Sequence, residues 1–446
     1  MAAFPHSSTR SPTRAAELPW DAMLDLRALR ADPATARAAL ARRGADADLD
    51  RLLELDDRWR ALQGAVDELR ARRNAAAQAI GEAKKAGRDA AAEIASAAAL
   101  RDELTRSEEN LREAESARQT LLLAMPNLPD PSAADGMAEE DAVCVAEGGS
   151  KPEFAFAARD HLELAGWQID MERGARTSGS RFGYLLGDVA RLHLATVAYA
   201  IDKLCGKSFT PVLPPVLVRE DALVGSGIFP ADREQVYALA NADPELFLVG
   251  TSEVSLAVLH ADEILDEAEL PLRYCGHSAC FRREAGASGK DTRGIFRTHQ
   301  FEKVEMFVFC HPDESKAEHE RILAIEREIA DDLGLHYRVM NIAVGDLGSP
   351  AAKKYDIEAW MPGQGRYREL TSCSNTTDYQ ARRLNARFRS ERGVQHLHTL
   401  NGTAITSSRT LIAVLETHQR EDGTVATPEA LQRFGAPAEI TAAARR

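Results

Sequence analysis

The sequence predicts an α+β protein in two parts: an N-terminal antiparallel helical hairpin and a larger C-terminal body that mixes strands and helices. Three observations carry this expectation. From about residue 49 to 123, apolar residues recur at helical spacing with almost no proline or aromatic residue among them. Pro126, Pro129 and Pro131 then stop the pattern. Beyond residue 152, short apolar runs of strand type alternate with amphipathic helical stretches as far as about residue 437. A chain of 446 residues has room for two or three domains, one of them built on a large sheet.

The hairpin is justified first. Leu52, Leu55, Trp59, Leu62, Val66 and Leu69 follow one another at steps of three and four, a heptad stripe that continues through Ala76, Ile80 and Ala83. Ala86-Gly87-Arg88-Asp89 breaks it, with Gly87 suited to close one helix and Asp89 to cap the next. A second stripe runs through Ile94, Ala97, Leu104, Leu111, Ala114 and Leu121. Arms of about 35 residues would extend about 50 Å at 1.5 Å per residue and protrude from the body. The first arm is net basic and the second net acidic. Salt bridging between the arms accounts for that charge, yet Arg70, Arg72, Arg73, Lys84, Lys85 and Arg88 gather towards the tip, where RNA could be gripped.

Residues 126–151 are rich in Pro, Gly, Ala and acid and read as a linker. In the body, 152–446, strands are expected over 209–213, 246–249, 272–275, 301–309, 337–344, 355–361 and 367–372. Helices are expected over 189–203, 254–264, 313–333 and 410–418. Residues 1–22 hold Arg10 and Arg14, several Ser and Thr, and no acid before Glu17; they read as a disordered extension rather than a presequence.

Composition excludes several classes. No apolar run approaches the roughly 18 residues that a membrane helix needs. None of the six cysteines forms a C-x-x-C pair, so neither a zinc finger nor a disulfide scaffold is expected, and the thiols suit a reducing cytoplasm. The net charge of −14 argues mildly against a nucleic-acid partner, though a local patch can override it. There is no internal repeat and no Walker A or dinucleotide glycine fingerprint.

The most informative stretch is Cys280-Phe281-Arg282-Arg283-Glu284, a glycine-rich connector over 285–294, and Arg297-Thr298-His299-Gln300-Phe301. A hairpin of this kind can hold a nucleotide: a guanidinium grips phosphate as a planar fork and an aromatic ring stacks on a base. A bare Phe-Arg-x-Glu is more often a surface ion pair, but the extended spelling resembles motif 2 of the class II aminoacyl-tRNA synthetases. The flanks are most similar to seryl-tRNA synthetases of the bacterial type. Phe209-Thr210-Pro211-Val212-Leu213-Pro214-Pro215 resembles the dimer-interface strand of motif 1, and Leu400-Asn401-Gly402-Thr403 leading to Arg409 resembles motif 3. The resemblance runs from Met23 to about Phe434.

The resemblance implies a mixed, mainly antiparallel sheet flanked by helices, a homodimer, and charging of serine tRNA, with selenocysteine tRNA as a further candidate. It implies ATP and Mg²⁺ as cofactors. Arg282 would bridge the serine carboxylate and the α-phosphate. Thr251 and Glu253 would meet the ammonium group, and Glu305, Asn401 and Thr403 would complete the serine pocket. Arg283, Glu284, Thr298, Phe301, Leu370, Thr371 and Arg409 would contact ATP, and Glu369 and Ser372 would hold both ATP and Mg²⁺. Arg282, Glu305 and Arg409 would be the catalytic set. Read alone, Thr251-Ser252-Glu253 is a helix cap and Glu305 an exposed strand acid. Motif 3 departs from the family, with Thr403, Ala404 and Ser408 in place of Ser, Gly and Gly. Three other readings stand beside this one: a serine-activating ligase that loads a carrier, a non-catalytic RNA-binding paralogue, and a duplicate synthetase serving resistance or biosynthesis.

Overall fold

The computed structural model describes residues 24–285, 291 and 293–442. The expected extension 1–22, and residues 286–290 and 292 of the glycine-rich connector, lie outside the described residues.

The N-terminal part is helical. Helices α1 (Leu26–Ala31) and α2 (Pro33–Ala41) lead into α3 (Asp46–Lys85) and α4 (Ala91–Ala124), the two arms of an antiparallel hairpin. Asp25 caps α1 by accepting from the Arg27 and Ala28 N–H groups, both at 3.0 Å. Gly87 takes φ +67° between the arms, the left-handed conformation that closes a helix. The seam is made by Val66, Leu69, Leu100, Leu104 and Leu111 with Trp59, Leu62 and Ala76. Two stripe positions are corrected. Ile94 is 48% exposed, and the seam uses Leu100 instead; nearer the root, Leu122 is buried rather than Leu121. An apolar pattern alone leaves a shift of this kind open where several small alanines offer equivalent faces.

A charge cluster fastens the hairpin near its root. Asp56 is fully buried and accepts from Arg118 at 2.9 Å and from Arg30 at 2.5 Å. The Arg118 guanidinium lies 3.9 Å from the Trp59 ring centroid. Below it, Arg43 donates to the carbonyls of Asn127 (2.9 Å), Ala351 (3.1 Å) and Gly348 (2.5 Å), which ties the arm to the body.

The segment 126–151 is not a free connector, which corrects the reading of it as a linker. Asn127 donates to the carbonyls of Pro350 and Thr376 at 2.9 and 2.8 Å, and Val143–Gly148 forms an edge strand. Strand pairing needs only a matching edge, so an exposed acidic segment can join a sheet without an apolar pattern to announce it.

The main sheet has eight strands: β1 (Val143–Gly148), β2 (Thr210–Val212), β3 (Leu272–Phe281), β4 (Gln300–Cys310), β5 (Tyr337–Asn341), β6 (Lys353–Met361), β7 (Arg366–Thr377) and β8 (His398–Thr406). Their spatial order is β1-β5-β6-β7-β8-β4-β3-β2, antiparallel throughout except for the parallel β2–β3 pair. Helices α5 (Gly187–Gly206), α6 (Glu253–Ala257), α7 (Ser315–Asp332) and α8 (Ser407–Thr417) pack against it. Alternation along β4 sorts its side chains. Val304, Met306 and Val308 join one core with Leu192, Ile322 and Leu411, while Phe307 and Phe309 join another with Leu256 and Phe388. Phe301, Lys303 and Glu305 share the second face.

Two further expectations are corrected. The helix expected over 254–264 ends at Ala257, passes through the 3-10 turn Val258–His260, and gives way to the strand Ile264–Asp266. That strand pairs in parallel with Arg387–Ser390, so tertiary pairing overrides local helical spacing. Strand β8, in the middle of the sheet, was not among the expected strands; Asn401, Gly402 and Ala404 interrupt the strand pattern of the motif 3 segment. No helix among the described residues is long and apolar enough to cross a membrane.

Candidate functional site

The β3–β4 hairpin brings the motif 2 residues together. Phe281 faces Gln300 and Cys280 faces Phe301 across the ladder. Arg282 leaves β3 with its Nε donating to the Gly250 carbonyl at 3.3 Å, and its guanidinium lies 5.3 Å from the Phe301 ring centroid. Glu284 holds φ +51°, a left-handed backbone that a glutamate adopts only under constraint from its surroundings. Its carboxylate accepts from Arg297 at 2.7 Å. A cavity of about 470 Å³ opens beside Gly250, Thr251 and Val254. A narrower one of about 80 Å³ continues between Thr298, Phe301, Lys303, Thr403, Glu369 and Ser372. Arg282, Glu284, Arg297 and Arg409 line both.

One end of this space is acidic and buried. Glu305 is 1% exposed, pairs with Lys303 in close contact, and accepts from the Thr251 hydroxyl at 3.4 Å. Burial pushes its carboxyl up to about 7; Lys303 opposes the shift and Glu253 adds to it. Glu253 begins α6, and burial raises its carboxyl too. Its Oε1 accepts from Gln380 at 2.8 Å and Asn401 at 3.0 Å. Thr403 sits opposite Glu305 in the β4–β8 pair. The two strands slip register next to this pair, where Ala404 is the extra residue, so one motif 3 departure coincides with a bulge. Gly402 is required by packing: a Cβ there would fall 2.3 Å from Ile322 and 3.0 Å from the Glu326 carboxylate on α7.

The other end is cationic. Arg409 occupies the first turn of α8, and its guanidinium meets the Glu369 carboxylate at 3.0 Å and the Glu369 carbonyl at 3.2 Å. Burial would raise the Glu369 carboxyl, but Arg409 and Lys354 outweigh it and hold it down at about 2. Simple alternation would put Glu369 and Ser372 on opposite faces of β7. The β6–β7 register slips between Glu369 and Thr371, so Leu370 is a bulge residue, and both oxygen-bearing side chains reach the narrow cavity. An ionised carboxylate and a hydroxyl in one cavity fit a hard divalent cation that completes its shell with phosphate oxygens. Leu370 and Thr371 are buried beside them, and the Thr298 hydroxyl donates to the Gln300 carbonyl at 3.0 Å.

Thr251, Arg282, Glu284, Thr298, Phe301, Glu369, Leu370, Thr371, Ser372, Thr403 and Arg409 line the two cavities. Glu305, Glu253 and Asn401 line neither and stand directly behind that lining: Glu305 contacts Thr251 and Lys303, the Glu253 N–H donates to the Thr251 hydroxyl, and Asn401 donates to Glu253. Arg283 stands apart: it is exposed, lines neither cavity, and its backbone N–H donates to the Gln235 carbonyl at 2.8 Å. The six tip residues are exposed, and Arg70 is paired across the hairpin with Glu108 at 2.9 Å, as the inter-arm reading expects. Alternation along 301–309 puts Lys303 on the face of Glu305, and Arg297 stands in the motif 2 stretch, but sequence reasoning gave neither a role in the site. It missed Gln380 altogether, since nothing local flags it.

Comparison with known proteins agrees with this geometry. Residues 237–418 match the tRNA synthetase class II core domain (G, H, P, S and T), and residues 23–129 match the seryl-tRNA synthetase N-terminal domain. The chain is 48% identical over 416 residues to a serine–tRNA ligase of Thermobifida fusca, covering 92% of this chain and 97% of the relative. Among solved structures it resembles seryl-tRNA synthetase from Pyrococcus horikoshii complexed with ATP, with a TM-score of 0.87 at 41% identity over 94% of this chain and 99% of the other. It also resembles the cytoplasmic serine-tRNA ligase of Naegleria fowleri in complex with AMP, with a TM-score of 0.81 at 32% identity over 92% and 96% of the two chains. With both the helical arm and the catalytic core matched, at this identity and over nearly its whole length, the chain belongs to the seryl-tRNA synthetase family of class II aminoacyl-tRNA synthetases.

Proposed function

We propose that this chain activates L-serine with ATP and transfers the seryl group to the 3′ end of serine tRNA, through the residues that surround the connected cavities. The observation that carries the reading is that Arg282 lines both cavities with Arg409, close enough to the buried carboxylates of Glu253 and Glu305 and to the Glu369 carboxylate to favour the ionised form of each. A serine carboxylate oxygen attacks the α-phosphorus, and the bond to pyrophosphate breaks. The terminal ribose hydroxyl then attacks the seryl carbonyl, and AMP leaves. Arg282 bridges the two anionic reactants as charge builds between them. The two carboxylates receive the ammonium and hydroxyl of serine. Phe301 offers a stacking face to adenine, Glu284 an acceptor, and Arg409 a cation for the terminal phosphate. Glu369 and Ser372 would hold Mg²⁺, which when bound supplies positive charge to the phosphates. Catalysis needs no covalent nucleophile from the protein; positioning and charge suffice.

The same reading extends to partners. The arm tip, with Arg70, Arg72, Arg73, Lys84, Lys85 and Arg88 exposed, would grip tRNA. The edge strand β2 and the nearby Leu194 and Leu213, 64% and 82% exposed, would form the contact of a homodimer. The setting is the cytoplasm, where its tRNA is found.

Serine-dependent pyrophosphate–ATP exchange, run with and without tRNA, tests the activity. Shortening the arm separates its two halves. A variant lacking residues 67–110, closed by a short turn below the tip and above the Asp56–Arg118 cluster, is expected to keep adenylation and lose tRNA charging. Charging by the intact chain should fall steeply with salt. Undiminished charging by the shortened protein would exclude the arm as the tRNA grip.

The pH dependence follows from Glu305. Its carboxylate must be ionised to receive an ammonium, and burial holds its carboxyl up to about 7. As pH falls through that value the free enzyme gains a proton there, so kcat/KM for serine should fall on the acid side with a limb near pH 7. Lys303→Met removes the cation that favours the ionised form and should move that limb to higher pH. A flat profile from pH 6 to 8 in about the range of this limb would count against Glu305 as the receiving group.

A further inference from the structure

A five-residue helix, Tyr379–Arg383, touches two distant parts of the molecule. One side holds the root of the arm. The Tyr379 hydroxyl donates to the Met125 carbonyl at 3.0 Å, just past the end of α4, and Arg383 donates to the Leu123 carbonyl at 3.2 Å. Arg382 reaches Asp25, the cap of α1, at 3.0 Å. Arg383 is 1% exposed, its guanidinium lies 3.5 Å from the Tyr379 ring centroid, and its Nε and Nη1 make no hydrogen bond. A buried cation here faces the negative end of the α4 dipole, and sliding it away would cost that compensation.

The other side holds the serine pocket. Gln380 is fully buried. Its amide nitrogen donates to Glu253 at 2.8 Å and to the Ser226 carbonyl at 3.0 Å, while its amide oxygen accepts from the Thr399 hydroxyl at 2.9 Å. Exchanging the two ends of the amide would set its oxygen against a carboxylate and a carbonyl, so the orientation is fixed by the network. Gln380 lines neither cavity; it reaches the site through Glu253 alone. Lys303, Glu305 and Arg282 face the same carboxylate from β4 and β3.

We propose that Gln380 is a positioning residue for serine activation, and that the helix Tyr379–Arg383 ties it to the arm's root, so that a disturbance at the root is felt as weaker serine binding. The inference rests on the reading of Glu253 as a ligand of the serine ammonium. A carboxylate held by two amides is preorganised for a cation; released from one of them, it samples orientations that serine must then restrict. The link passes through none of the residues assigned to ATP alone, so its loss should fall on serine.

The test is tRNA-independent pyrophosphate exchange by the full-length protein. Gln380→Met keeps the volume and removes the donor. It should raise the serine KM about tenfold, the scale of one hydrogen bond to a charged group, and leave the ATP KM and the kcat at saturating serine within about twofold. Tyr379→Phe removes one hydroxyl without a cavity and should raise the serine KM about threefold with the same split. A purely structural role would instead lower kcat, weaken ATP and depress the melting temperature together. A wild-type serine KM in Gln380→Met overturns the positioning role, and one in Tyr379→Phe overturns the tie to the arm. Glu253→Gln tests the premise: if its serine KM were unchanged, the reading of Glu253 would fail, and the inference with it.

Discussion

Arg282→Ala should abolish serine-dependent pyrophosphate exchange while leaving the fold intact. The guanidinium lines both cavities, between the acidic pocket and the Arg409 pole, and makes few contacts with the protein itself: a 3.3 Å bond to the Gly250 carbonyl and the face of Phe301. Its removal therefore costs the resting structure little. In the reaction it would stand between two anions whose approach is otherwise repulsive, and where negative charge grows as the P–O bond forms. Losing one preorganised donor of this kind costs about 4 kcal/mol, or roughly a thousandfold in kcat. Arg282→Lys should recover only part of the rate, because an ammonium cannot span two oxygens as a planar fork does. The check is exchange kinetics beside a melting curve. Near-normal exchange in Arg282→Ala would sink the assignment of this cavity as the adenylation site.

Much of the architecture was legible because it rests on local periodicity. The heptad stripe fixed the hairpin, with Gly87 at the turn, and alternation in 301–309 anticipated β4 and the shared face of Phe301, Lys303 and Glu305. What escaped was non-local. Asp56 reads as one of two adjacent acids, Asp56-Asp57, on the charged side of the arm, and only the arrival of Arg30 and Arg118 makes it a core residue. The bulge at Leu370 brings Glu369 and Ser372 together, and a one-residue slip leaves no mark in composition. Strand β8 is interrupted by Asn401, Gly402 and Ala404, poor strand formers that are held there by β4 and β7 on either side. The motif resemblance supplied the candidate site where propensity was silent. It could not supply Lys303 as the partner of Glu305 or Gln380 as the partner of Glu253, because those contacts are set by packing.

The charge of the chain illustrates the same division. The net value of −14 spoke against a polyanion partner, yet Arg70, Arg72, Arg73, Lys84, Lys85 and Arg88 are all exposed towards the tip of the arm. Long-range repulsion from the body is screened beyond about 8 Å at physiological salt, so a protruding arm is read by its own charges. The inter-arm pair Arg70–Glu108 shows that part of the basic face is spent on the hairpin itself. Binding of tRNA is accordingly expected to depend more on Arg72, Lys84, Lys85 and Arg88 than on Arg70.

The largest effect on specificity is expected at Glu305 and Thr403. Serine differs from alanine by a hydroxyl and from threonine by a methyl group. Glu305 and Thr403 face each other across the β4–β8 pair, both buried, and the Thr251 hydroxyl lies 3.4 Å from the Glu305 carboxylate. Alanine keeps the ammonium but would leave the buried acceptor of the serine hydroxyl unpaired, and sites built on such contacts reject the analogue by about 10⁴. Threonine brings the hydroxyl and must be refused by shape, a weaker filter of about 10². The order of activation should therefore be serine, then threonine, then alanine. Thr403→Ser removes a methyl group from the pocket wall and should admit threonine more readily without changing the rejection of alanine. Replacing Glu305 requires care, because its partner Lys303 is also buried, and Glu305→Ala would strand an unpaired cation. Glu305→Gln keeps the shape and an acceptor for Lys303 while removing the charge that serine's ammonium would meet. Both variants should lose serine activation, and the glutamine variant should do so with its melting temperature held. Alanine activated on a par with serine by the unaltered protein would overturn this pocket, whatever the fate of the ATP site beside it.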